Sequence, residues 1–240
     1  MKITKIGDIM NFRRFLCLSL MSLGCVATAM ADGIRSDIEN TFEYRTGLDL
    51  SLKLMKGLKF EVAPDLRFAD GGLDRFVLNT GLSYKTFDCL YWGVTYRLDV
   101  NRVEGGDGTY TSLGVYKTHH TESYNRFAFD VTYKDGYGRF TPSLRLRYSN
   151  YVDEQVEGKS FLRYRAKVDY DIRKCRFTPF VSVEGYHQTS DMVLYKVRYS
   201  TGVDFKTSRN GSLSLDYKLD YFNLKYKNSH IVSTGYKYKF

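Results

Sequence analysis

Ser233-Thr-Gly-Tyr-Lys-Tyr-Lys-Phe240 alternates aromatic with polar residues and stops on Phe240, with Gly235 five positions upstream. An extended strand sends successive side chains to opposite faces, so Tyr236, Tyr238 and Phe240 share one face and Lys237 and Lys239 the other. An outward face of aromatics belongs in a lipid interface rather than in a water-facing sheet. This one stretch therefore predicts the strand of a transmembrane β-barrel.

The same residues fit a second pattern: polar, any, Gly, two of any, aromatic, any, aromatic. Strands that the barrel-assembly machinery of Gram-negative outer membranes recognises have this general form, and Ser233, Gly235, Tyr238 and Phe240 resemble it. Gly235, Tyr238 and Phe240 are thus expected to act as an assembly signal. The front of the chain agrees. Lys2, Lys5, Arg13 and Arg14 precede an apolar run from Phe15 to Ala29, and Ala29-Met30-Ala31 reads as a small-x-small cleavage site. The apolar run is shorter than the ~20 residues a helix needs to cross a bilayer. The division expected is a signal peptide over 1–31 and a barrel over 32–240.

Removing residues 1–31 takes four basic residues and Asp8 from the chain and lowers the net charge from +9 to +6. That excess is modest and its Lys and Arg are scattered, which argues against nucleic-acid binding. Cys17 and Cys25 leave with the leader, and the remaining Cys89 and Cys175 do not make a disulfide framework. Twenty-one Tyr, sixteen Phe and three Pro in 240 residues favour strands over helices.

Period two runs through the rest of the chain. Leu48, Leu50, Leu52 and Leu54 alternate with Asp49, Ser51 and Lys53; Phe127, Phe129, Val131 and Tyr133, and Val193, Tyr195, Val197 and Tyr199, continue the apolar sets. The runs break at turn residues, among them Lys56-Gly57, Asp70-Gly71-Gly72, Asp135-Gly136 and Asn210-Gly211. Runs of about 10–13 residues suit a tilted strand that crosses a bilayer and exceed the 5–6 usual in soluble sheets. The expected fold is all-β, an antiparallel transmembrane β-barrel of about 10–12 strands. Eleven are clear, and Asp37 to Arg45, turning at Thr46-Gly47, gives a best count of twelve. Phe42, Tyr44 and Leu48 keep one register, so a single long strand is the alternative. If the last strand ends in the periplasm, the turns near Cys89, Asp135, Cys175 and Asn210 share its side, and the longest connection, about 103–121, lies outside.

The polar faces carry a high density of charge. Arg145, Arg147, Arg163, Arg165, Asp169, Glu184, Arg198 and Asp216 are the candidate lumen-lining cluster. Opposite charges on neighbouring strands favour a structural network; the Arg excess also suits a porin-like path for small anionic solutes. A lipid-modifying outer-membrane enzyme is the rival function. His119, His120, His187 and His230 are its available bases, but the chain has no Gly-x-Ser-x-Gly elbow and no metal-type His or Cys spacing. The expectation is no enzyme, no cofactor and no metal site. The expected form is a monomer in contact with outer-membrane lipid and lipopolysaccharide.

Tyr164 to Glu184 (YRAKVDYDIRKCRFTPFVSVE), Ser143 to Tyr148, Tyr199 to Phe205 and His230 to Phe240 together resemble a Bacteroidetes-type outer-membrane family, domain of unknown function 2490. The resemblance covers about residues 37–240. It implies an outer-membrane barrel and supplies no catalytic residue.

Overall fold

In this computed structural model, residues 39–69, 72–104, 109–111, 114–116, 119–152, 160–223 and 227–240 are described. The leader, its cleavage site, Asp37 and the Asp70-Gly71 pair lie outside them.

Among the described residues thirteen strands follow in chain order: β1 (Glu39–Met55), β2 (Leu58–Ala69), β3 (Gly72–Lys85), β4 (Leu90–Glu104), β5 (Thr109–Thr111), β6 (Gly114–Tyr116), β7 (His119–Lys134), β8 (Phe140–Tyr151), β9 (Ser160–Tyr170), β10 (Phe177–Gln188), β11 (Val193–Lys206), β12 (Gly211–Phe222) and β13 (Lys227–Lys239). Eleven of them close into one barrel, each beside its chain neighbour, while β5 and β6 form a small separate hairpin within the connection from β4 to β7. Sequence-predicted turns at Lys56-Gly57 and Asp135-Gly136 fall between strands, and Asn210-Gly211 marks the entry into β12, which starts at Gly211.

The expected count of twelve, all antiparallel, is corrected to eleven. β1 runs unbroken through Thr46-Gly47 and closes against β13 in parallel, in register from Glu39↔Lys227 to Ser51↔Lys239. An odd number of strands in an up-and-down barrel leaves the first and last pointing the same way, so closure has to be parallel. Gly47 is not a turn residue but a close-approach residue. A Cβ there would lie 2.9 Å from the Pro64 carbonyl oxygen of β2, and on the other side Gly47 pairs with Gly235. Turn chemistry and close approach both select Gly, and the sequence pattern alone does not separate them.

The core is the lumen, and the barrel is apolar on the outside. Large apolar side chains on the outer face stay well exposed, Val94, Phe127, Leu146, Val181 and Leu215 among them. Near the rim of short turns the outward residues are aromatic. Phe140 packs on Tyr170 at 4.9 Å, Phe177 on Phe205 at 4.8 Å and Tyr238 on Phe240 at 4.8 Å. Further along the strands come Tyr44 with Phe68, Tyr96 with Phe127, and Tyr164 with His187. Leu and Val fill the band between.

One outward expectation fails locally. A β-bulge lets Tyr186 pair with Lys196 and His187 with Leu194, skipping Tyr195. Tyr195 is thereby turned to the inner face, where it packs against Phe161 at 5.8 Å and Phe222 at 5.5 Å. An extra residue in one strand reverses the facing of whatever occupies it.

Candidate functional site in the lumen

Each barrel strand sends its polar parity inward, so side chains far apart in sequence meet inside. Glu184 of β10 is 5 % exposed. Its Oε1 accepts from Arg145 at 3.1 Å and from Arg163 at 3.0 Å, and its Oε2 accepts from the Tyr186 hydroxyl at 2.9 Å. Asp220 of β12 is 2 % exposed and takes Arg198 at 2.5 and 2.7 Å and Lys196 at 2.6 Å. Arg147 reaches Asp130 at 2.5 and 3.0 Å. Smaller pairs complete the network: Lys167 with Asp169, Lys218 with Asp216, Lys237 with Asp204, and Arg45 with Glu43. The inward ring of Tyr186 carries Arg163 at 4.5 Å and Lys196 at 4.7 Å on its π face. Such contacts are worth roughly 2 kcal/mol when desolvated.

The eight predicted lumen residues all lie on this inner face, and six of them, Arg145, Arg163, Arg165, Glu184, Arg198 and Asp216, border one cavity of about 380 Å³. Ten Lys or Arg line that cavity, against four carboxylates: Asp49, Asp65, Glu184 and Asp216. A second cavity of about 280 Å³ has eight cations, including Arg75, Arg97 and Arg126, against Glu43, Asp99 and Asp220. The lumen is therefore partly neutralised and carries a strong surplus of positive charge. Arg147 is bound to Asp130 instead, and Asp169 to Lys167.

Of the predicted assembly residues, Gly235 pairs with Gly47 at the seam, and Phe240 is exposed and donates its N–H to the Ser51 carbonyl at 2.9 Å. His230 lies on the outer face, stacked on Phe42 at 5.0 Å, with Nδ1 2.6 Å from the Tyr217 hydroxyl and Nε2 3.3 Å from Asn40 Oδ1. Both ring nitrogens are thus engaged at the seam between β1 and β13 and its neighbour β12. Among the described residues no group of three or more His, Cys, Asp or Glu could hold a metal ion.

Residues 44–230 match the family described as "Protein of unknown function (DUF2490)". The chain belongs to this family. No curated protein matches it. Among solved structures, the β domain of the Bordetella autotransporter Brka is similar at 12 % identity and a TM-score of 0.42, over 73 % of this chain and 81 % of that chain.

In this DUF2490 barrel, reasoning from sequence overlooked the arginines of the first half of the chain. Arg45, Arg67 and Arg97 line the larger cavity as closely as the arginines of β8 and β9 do. The signal was present, since each occupies the polar parity of its strand, but they stand singly and not in pairs such as Arg145 and Arg147. Tyr186 was missed because an inward Tyr has the same letter as the many outward ones.

Proposed function

We propose that the protein is an integral β-barrel of the bacterial outer membrane whose narrow, cation-rich lumen admits small anions. The outer face supports the membrane setting. From Phe140 to Tyr148 is eight residues and from Phe240 to His230 ten; at ~3.3 Å per residue and a ~40° tilt these spans are roughly 20–25 Å, close to the ~25 Å apolar band of outer-membrane barrels. The excess of ten cations over four carboxylates around the main cavity carries the anion reading. In a narrow path walled by low-dielectric sheet, fixed positive charge attracts anions and repels cations.

The test is chloride efflux from liposomes that contain the refolded protein, with potassium efflux measured in parallel. Faster chloride release than in protein-free vesicles, with a smaller effect on potassium, is the expected result. Equal or cation-favouring release refutes the reading. A phospholipid-hydrolysis assay on the same vesicles separates the pore from a lipid-modifying enzyme, and it is expected to show no fatty acid released.

A further inference from the structure

The ladder between β8 and β9 sets like charges directly against each other. Arg145 faces Arg165, and Arg147 faces Arg163. Directly opposed like charges destabilise a sheet, and here two such pairs are adjacent. Glu184 stands opposite Arg165 in the ladder of β9 with β10, yet its carboxylate turns to Arg145 and Arg163. Asp130 serves Arg147. Among the described residues Arg165 makes no ion pair with a carboxylate. Four guanidiniums thus share two carboxylates, which leaves two positive charges uncompensated.

The hydrogen bonding shows the same deficit. The Nε–H groups of Arg145, Arg163 and Arg165 are buried without a hydrogen-bond partner, and all three side chains border the 380 Å³ cavity. A buried donor without a partner calls for an explanation, and an ion or water that completes the site is one. Guanidinium forks match tetrahedral and planar oxyanions better than they match halide ions.

We propose that Arg145, Arg163 and Arg165, with Arg147 adding to the field, form a binding site for a doubly charged oxyanion of the phosphate type. Its two charges cancel the surplus, and its oxygens accept from the guanidinium N–H groups at the cavity wall. This deepens the anion reading above and rests on the same lumen. It does not require that the path conduct.

The test uses the whole barrel refolded in zwitterionic detergent at pH 8, where phosphate is a dianion. Thermal unfolding is followed in sodium phosphate and in sodium chloride of equal ionic strength. Wild type should unfold several degrees higher in phosphate, with a saturable dependence on its concentration. Arg165→Gln should abolish that difference, and in chloride it should unfold at or above the wild-type temperature, because it relieves a like-charge pair. A purely structural arginine gives the opposite sign. Short-chain phosphatidic acid, tested beside inorganic phosphate, distinguishes a lipid headgroup from a free solute; a site inside the barrel wall predicts that only the free ion acts. An equal phosphate effect in wild type and variant, a less stable or unfoldable Arg165→Gln in chloride, or a response to phosphatidic acid alone overturns the proposal. Chloride efflux without the phosphate shift leaves the anion path standing and removes this site. The phosphate shift without efflux keeps the site and removes the path.

Discussion

Glu184 and Asp220 are each buried and gripped by two cations, so neither can be neutralised without stranding positive charge. Glu184→Gln removes one charge and leaves Arg145 and Arg163 without their shared carboxylate. Breaking a buried pair in this way costs about 3–5 kcal/mol. Lys85 and Asp88 are also 2.9 Å apart, but the Asp88 side chain is fully exposed, so solvent screens the pair and Asp88→Asn should cost far less. Urea unfolding in lipid vesicles compares the two directly, and equal losses would show that the lumen pairs are as well solvated as the surface one. At this scale most of the site was legible in the sequence. Alternation alone put Arg145, Arg163, Glu184 and Arg198 on one inner face. Tyr195 was not legible, because a one-residue bulge carries no signature in its own side chain, and nothing in the pattern of β11 marks where β10 slips.

The first and last strands decide how the barrel closes, and their glycines make separable predictions. A methyl at Gly47 meets the Pro64 backbone, whereas the one tight contact of a methyl at Gly235 is the Ser214 hydroxyl at 2.9 Å, a side-chain atom that can rotate, with the Gly47 carbonyl oxygen at an ordinary 3.7 Å. Gly47→Ala should therefore destabilise the folded barrel by about 1–3 kcal/mol, the usual cost of overpacking. Gly235→Ala should leave stability near wild type. If β13 is also read during assembly, Gly235→Ala, or deletion of Phe240 together with Tyr238→Ser, should lower the amount inserted while the inserted fraction stays normally folded. Quantifying inserted protein beside its unfolding midpoint checks both; wild-type insertion after loss of Phe240 and Tyr238 contradicts the assembly role. The long alternating runs made the barrel strands after β1 readable, but not the three-residue β5 and β6, which are too short to show a period and lie in the stretch read as the longest connection. The continuity of β1 was not readable either, since Thr46-Gly47 satisfies turn chemistry and only the neighbouring Pro64 reveals why Gly is needed there.

Eleven strands give the whole molecule an asymmetry that twelve would lack. β1 starts at the rim opposite the one where β13 ends, so Glu39 and the β12–β13 connection share one rim, while Cys89, Cys175 and Phe240 share the other. Cys175 is exposed and both cysteines are free. With the short-turn rim in the periplasm, a membrane-impermeant maleimide should leave Cys175 unlabelled in intact cells and label it after permeabilisation. Glu39→Cys, placed in a chain with Cys89 and Cys175 changed to Ser, should react from outside. Labelling of both positions from one side would restore an even strand count. The apolar wall, the two aromatic zones and the surplus of lumen cations all support the proposed property, preferential passage of anions through a membrane-spanning barrel. The measurement that tests it most directly is the reversal potential of the refolded protein in a planar bilayer under a potassium chloride gradient. The account predicts small unitary conductance with a reversal potential displaced towards that of chloride, and a displacement towards that of potassium would contradict it.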